Sequence, residues 1–393
     1  MQKPSMVSST EKTVLLFYGL GALAVALIFF AVGPLVNLAS AASWGSDSSP
    51  QIAVLCAQNG SQASLCQSLQ QGVSRVIDTN ASGLQVSMSF YDTGATPDGA
   101  AAAASAAARN PNTAVIIGPL NAPQVLAAAE VAQEYSLVVI TPASTAASLD
   151  ASQFHNLYRI PALDVHQGQA LADFLMNRLR VSDIYVVAES SANAQGLLDE
   201  FNSMAQNHLR VVGSLQLQDK SQAANLGSQI KSSQAQAVLF LGSAPTASSV
   251  LQELHSAGLQ IPFIGNDTIN FEGLYPLPAG SGPVFYTTPF FELNASSVPG
   301  GDQQLPLFSV LKNQPFGYEN LMAAELSLAV LRQNSSLFTS ARQGFYKNLL
   351  QNNAGSSGFV AGQLTPQKIH IFQVDPQAQD GSRNQLIYSL PVK

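Results

Sequence analysis

The sequence predicts an α/β protein built as two lobes of parallel sheet, preceded by a helix long enough to cross a membrane. Three observations predict it. Short apolar strands alternate with amphipathic helices from Gln51 onward. That alternation breaks near residue 163 and starts again. Residues 14–36 form an apolar run without a charge near the head of the chain. Strand–helix–strand order implies parallel pairing, because parallel strands need crossover connections and the crossing helices cover both faces of the sheet.

The apolar run comes first. Nothing charged lies between Lys12 and Asp47. As a helix, 23 residues span about 34 Å, enough for a hydrocarbon core of about 30 Å. Two membrane readings fit. One is a signal peptide cleaved after Ala39-Ser40-Ala41, a small-x-small site. The other is an uncleaved anchor, favoured because the run exceeds a usual signal core. Lys3 and Lys12 precede the run, which places the N-terminus in the cytoplasm and the body outside. Leu38-Ala39-Ser40 is followed by Ala41 and not by cysteine, so a lipid anchor is unsupported.

In the first lobe, 52–56 (IAVLC) reads as a buried strand. Residues 63–79 read as a helix, with Leu65, Leu69, Val73 and Ile77 at helical spacing. Residues 84–92 alternate like a strand, and the alanine run 98–110 is a helix by propensity, closed by Asn110-Pro111. Strand 114–118 ends in Gly118-Pro119; helix 122–135 and strand 137–141 follow. Cys56 and Cys66 are the two cysteines. In an exported chain they suit a disulfide, and they equally suit two small buried hydrophobes. Two cysteines without a nearby Cys/His pair make no zinc site.

The second lobe repeats the order. Helix 167–180, strand 183–189, helix 194–208, strand 210–217, helix 222–233, strand 237–242, helix 245–257 and strand 262–266 succeed one another. Strand 284–291 follows, then a loop rich in Gly, Pro and Gln over 292–315. An amphipathic helix is expected at 316–335 (Phe316, Leu321, Ala324, Leu328, Leu331) and a late strand at 368–375.

Composition narrows the function. Charged residues make up 10% of the chain, and 17 Lys plus Arg against 24 Asp plus Glu leave a net charge of −7. There is no basic excess to neutralise phosphates, so no nucleic-acid partner is expected. His155, His166, His208, His255 and His370 are scattered without metal-ligand spacing, and no nucleophile elbow occurs. Ser228 to Lys231 matches S-x-x-K, but on an expected amphipathic helix away from strand ends. No catalytic residue, metal or cofactor is therefore expected.

Four stretches carry a resemblance. They are YDTGATPDGAAAAASAAA (91–108), AVIIGPLNAPQVLAAAEVAQEYSLVVITPASTAASL (114–149), LYRIPALDVHQGQALADFL (157–175) and AVLFLGSAPTASSVLQELHSAGLQIPFIGND (237–267). In that order they resemble the type I periplasmic binding proteins, in particular the leucine and branched-chain amino acid-binding family. The third keeps Arg159, Asp164 and Gln167 in place. The resemblance implies two Rossmann-like lobes joined by three crossovers, near 160–163, 287–290 and 358–366. The implied division is a tether over 1–46, a first lobe over 47–162 plus 290–358, and a second over 163–289 plus 359–393. It implies a small-molecule ligand in a cleft at the strand C-termini, agreeing with the rule for open α/β sheets, and closure about the crossovers.

The resemblance also implies a site. Asn121, Ala122, Ala143, Ser144 and Thr145 would face an amino-acid carboxylate with hydroxyls and backbone N–H groups at helix starts, which suit anions. Ser144 and Thr145 read equally well as helix caps. Ala122 stands where the family has serine. Asp267 would meet the ligand ammonium through a charge-assisted bond; as a loop aspartate it would instead make an Asx-turn. Asn193 and Ser243 stand where the family places aromatic residues, which makes the cleft roomier and more polar. Two functions from different classes follow: a solute-binding protein serving an ABC permease, or a ligand sensor or regulatory module at the envelope.

Overall fold

The computed structural model describes residues 49–80, 85–146, 148–149, 153–205, 208–270, 274–289, 317–334, 359–360, 362–364, 368–377 and 384–392. The apolar run at 14–36 lies outside the described residues. Among those described, no helix is long and apolar enough to cross a membrane.

The first sheet is built from β1 (Gln51–Cys56), β2 (Ser87–Asp92), β3 (Thr113–Ile117), β4 (Val138–Thr141) and β5 (Leu157–Arg159), in the order β5-β4-β3-β1-β2. The second repeats this as β10-β9-β8-β6-β7, from β6 (Asp183–Glu189), β7 (Arg210–Leu217), β8 (Ala237–Leu241), β9 (Phe263–Gly265) and β10 (Val284–Thr288). Every pairing within these two sets is parallel. Central strands such as β3 and β8 are buried at all five residues, as strands covered on both faces must be.

The helices follow the expected order: α1 (Ala63–Asn80), α2 (Pro97–Arg109) and α3 (Ala122–Glu134) around the first sheet, α4 (Asp164–Asp173), α5 (Ala192–Ala205), α6 (Leu226–Ser233) and α7 (Ala244–Ser256) around the second, then α8 (Gly317–Asn334). Alanines decide how α2 and α3 pack. Ala103, Ala104, Ala107 and Ala108 share one buried cluster with Ala128, Ala129 and Ala132, so two methyl-only faces meet. Helix α8 joins the core around α1 and β3.

The structure departs from the sequence reading in five places. Each sheet carries antiparallel strands at one edge: the hairpin β11 (Phe359–Val360) and β12 (Gln363–Leu364) beside β5, and β13 (Lys368–Gln373) and β14 (Gln385–Pro391) beside β10. β12 follows β11 after two residues and β14 follows β13 after eleven, too few for a crossover helix. The boundary expected at 358/359 is moved by this hairpin. Residues 359–364 belong to the first sheet, because Gln363 pairs with Arg159 and its Oε1 accepts from Arg159 Nε at 2.6 Å. The chain therefore passes to the second sheet between Leu364 and Lys368. The helix expected at 167–180 starts at Asp164, whose N–H donates to the Thr145 carbonyl (2.9 Å), and turns π-helical over Phe174–Arg178. The helix expected at 222–233 is split by Asn225, which adopts φ +65° between a 3-10 turn (Lys220–Ala223) and α6; Asn tolerates that region better than most side chains. Helix α8 is not amphipathic: Glu319, Asn320, Glu325 and Ser327 are buried as fully as Leu321 and Leu328.

Cys56 ends β1 and Cys66 lies in α1. A disulfide joins them at a Cα–Cα separation of 5.3 Å, and both residues are buried.

Candidate ligand cleft between the lobes

The first wall of the site grows from the ends of β3 and β4. Gly118 follows β3 at φ +91°, and a Cβ there would stand 2.2 Å from the Leu55 carbonyl oxygen. Only glycine lets the chain pass the end of β1 in this conformation. Its N–H donates to the Ile140 carbonyl at 2.8 Å. The chain then enters α3 with Asn121 as N-cap, its side chain accepting from the Gln124 N–H at 3.2 Å. After β4, the Thr141 hydroxyl donates to the Pro119 carbonyl (3.0 Å) and accepts from the Ser144 N–H (3.3 Å). This stitches the two loops side by side. Ser144 is 3% exposed, and its hydroxyl oxygen has no hydrogen-bond partner among the described residues.

The second wall grows from α4, α5 and the end of β9. Asp164 opens α4 and accepts from Gln167 Nε2 at 3.1 Å; Gln167 Oε1 accepts from the Thr287 hydroxyl at 2.8 Å. Asp267 begins the turn after β9. Its neighbour Asn266 is fixed by the Gly242 N–H (3.1 Å), and the Thr268 hydroxyl donates to the Gly242 carbonyl (2.6 Å). Helix α5 presents Asn193, Gly196 and Glu200, spaced three and four residues apart on one face. The walls enclose a cavity of about 430 Å3, a size that suits a small-molecule site.

Its electrostatics are acidic. Burial raises the Asp164 carboxyl to about 6, against opposing hydrogen bonds from Thr145 and Gln167 and the charge of Arg159. Burial also raises Asp267 to about 7, and the neighbouring Asp164 charge adds to the rise. Glu319, at the start of α8, is held well above the carboxylate range by burial and then by Asp267, and neither of its carboxyl oxygens has a hydrogen-bond partner. Arg159 is buried nearby, its Nη1 donating to the carbonyls of Ala146 (3.2 Å) and Leu149 (2.8 Å). Among the described residues, three carboxylates line the cavity, from Asp164, Glu200 and Asp267, and no Lys, Arg or His lines it. Among the described residues, no group of His, Cys, Asp and Glu could hold a metal ion.

Seven of the eight residues singled out from the sequence lie on this cavity: Asn121, Ala122, Ala143, Ser144 and Thr145 on one wall, Asn193 and Asp267 on the other. Ser243 does not line it. Its hydroxyl donates to Glu189 Oε1 at 2.6 Å and it stands at the N-cap of α7, so it is committed to its own lobe. No described helix begins at Ser144 or Thr145. Asn121 does cap a helix. Sequence reasoning assigned no role to Asp164, Gly196, Glu200 or Thr268. The spacing of Asn193, Gly196 and Glu200 was a readable signal, since residues three and four apart on a helix share a face.

Two mostly parallel sheets of the same strand order, with a cavity lined from both at their strand ends, define a two-lobed α/β binding protein. Residues 49–300 match the periplasmic binding protein family, and the chain belongs to that family. An amino acid binding protein of Pseudomonas aeruginosa is 23% identical over 276 residues, covering 68% of this chain and 73% of its own length. Against several Leu/Ile/Val-binding relatives the match covers about half of their length, from 43% to 61%. The structure of the branched-chain amino acid transporter substrate-binding protein LivJ from Streptococcus pneumoniae, in complex with isoleucine, superposes with a TM-score of 0.69 at 16% identity, over 88% of this chain and 99% of that one. A solute-binding protein of an ABC transporter from R. palustris, in complex with benzoate, gives 0.69 at 15% identity, over 88% and 97%.

Proposed function

We propose that the chain is an extracytoplasmic solute-binding protein that captures an amino acid in the cleft between its lobes and delivers it to an ABC importer. One observation carries this reading: Ser144, whose buried hydroxyl has no partner among the described residues, lines the same cavity as two buried carboxyls, Asp164 and Asp267. A buried polar group without a partner costs free energy, roughly 1–3 kcal/mol, until something fills the role. A zwitterion supplies both partners. Its carboxylate accepts from Ser144 and sits by the first turn of α3, where helix geometry favours an anion. Its ammonium meets Asp267. Membership of the family and the named ligands of its relatives support the same class. A simple aromatic carboxylate such as benzoate would bring an anion to two buried acids with no cation of its own, so it is disfavoured.

In this reading residues 14–36 tether the body to the outer face of a membrane, and the lobes divide at the three passages of chain between the sheets. Thermal-shift screening of the full chain with amino acids tests the site. A ligand at 100 times its dissociation constant stabilises by about 2.7 kcal/mol. Asp267→Ala abolishes the shift and leaves a cooperative unfolding transition. If no amino acid shifts the transition, the amino-acid reading is wrong.

A further inference from the structure

We infer that the cleft selects an amino acid carrying a second ammonium group, a diamino acid of the lysine or ornithine class, and that Glu200 recognises that second charge. The inference rests on the proposed function, since it adds a side-chain subsite to the same cavity.

Charge balance is the first ground. Asp164, Glu200 and Asp267 line the cavity, no Lys, Arg or His lines it among the described residues, and Arg159 acts on Asp164. A zwitterion adds no net charge and leaves two carboxylates in excess. A diamino acid adds one positive charge, and it adds it where a carboxylate stands. Placement is the second ground. Asp267 lies on the turn after β9, whereas Glu200 lies on the third turn of α5. The path between the α-ammonium position and Glu200 runs along the α5 face past Gly196. A Cβ built on Gly196 meets nothing within 4 Å, so open space lies over this turn. On the other side of Glu200, Gly168 of α4 lets the two helices approach: a Cβ there would stand 3.0 Å from the Glu200 Cβ. The backbone of Glu200 is therefore fixed by packing while its carboxylate is half-buried at the cavity.

The third ground is independent of the acids. Ser144 lines the wall across from α5, and its buried hydroxyl has no partner among the described residues, which suits a polar ligand group beside it. With the carboxylate at Ser144 and the α-ammonium at Asp267, the α5 face with Asn193, Gly196 and Glu200 is the part of the lining left for the side chain. A charge-assisted bond there is about twice as strong as a neutral one.

The test compares L-lysine, L-ornithine and L-norleucine by titration calorimetry on the full chain. Norleucine has the length of lysine and lacks its second ammonium. We expect lysine or ornithine to bind at least tenfold more tightly than norleucine. Glu200→Gln should remove that ratio, and Asp267→Ala should abolish binding of all three. Equal binding of norleucine and lysine overturns the subsite and leaves the amino-acid cleft standing. Binding of none of the three overturns the diamino-acid subsite, and the amino-acid cleft falls with it only if no amino acid shifts the thermal transition. A lysine preference that survives Glu200→Gln overturns the assignment to Glu200.

Discussion

At the scale of single residues, the site is governed by carboxyls that folding makes harder to ionise. Asp164 and Asp267 are raised to about 6 and about 7 by burial, and Glu319 is raised by the same cause. All three bind protons more tightly in the folded protein than at the ordinary carboxyl value of about 4. Their contribution to stability is therefore fully present below that value and is lost as pH rises through 6 and 7. The groups facing them are Thr145, Gln167, Arg159 and Glu200, and Asp164 and Asp267 face each other. The unliganded protein should melt at a higher temperature at pH 5.5 than at pH 8, and Asp267→Asn should flatten that dependence. A melting temperature that falls over this range, equally in both proteins, would refute the account. Ligand binding runs the other way. An ammonium needs an ionised Asp267, so affinity for an amino acid should drop as pH falls below about 7, and binding at neutral pH should release protons. Calorimetry in two buffers of different ionisation enthalpy measures that release.

At the scale of elements, two local devices hold the first wall. Gly118 is one. Gly118→Ala forces a non-glycine residue into φ +91° and against the Leu55 carbonyl. Backbone strain alone costs roughly 1–3 kcal/mol, and the shifted loop should displace Asn121 and weaken ligand binding beyond the loss in melting temperature. The Cys56–Cys66 disulfide is the other. It ties the end of β1 to α1 across a short loop. Cys56→Ser with Cys66→Ser should lower unfolding free energy by about 2–4 kcal/mol in denaturant titrations. Unchanged stability would mean that the bond constrains nothing. Both cysteines were visible in the sequence, but spacing alone could not choose between a bond and two buried thiols. The choice needed β1 and α1 to be set side by side.

At the scale of the molecule, the lobes are joined where three passages of chain meet. Ala162 N–H donates to the Pro289 carbonyl at 3.3 Å, which brings two of them together. Gln363 clamps the edge of the first sheet: it accepts from Arg159 Nε at 2.6 Å and donates to the Pro161 carbonyl at 2.9 Å. Gln363→Ala removes both bonds and takes an acceptor from a buried guanidinium. We expect a loss of about 1–3 kcal/mol in stability together with faster ligand dissociation, since the first passage loses its brace. Stopped-flow release of bound amino acid checks the second effect. No change in either quantity would show that the clamp is redundant.

The sequence by itself determined the alternation of strands and helices, because apolar runs of five residues and helical spacing of leucines and alanines are local signals. Through the family resemblance it also pointed to seven of the fifteen residues that line the cavity. Asn121, Ser144 and Thr145 follow strand ends, and in a parallel sheet those ends must converge on one side. Tertiary structure decided what depends on pairing at a distance. The hairpin at Phe359–Leu364 joined the first sheet because Gln363 met Arg159, a contact between residues far apart in the chain. Ser243 left the cavity because Glu189 took its hydroxyl. Helix α8 carries polar residues on faces that the spacing of its leucines marked as exposed, and they are buried. Asp164 became part of the site only when α4 was placed against the loop after β4. Local pattern specifies an element, whereas the partner of each surface is chosen by what the rest of the chain brings to it.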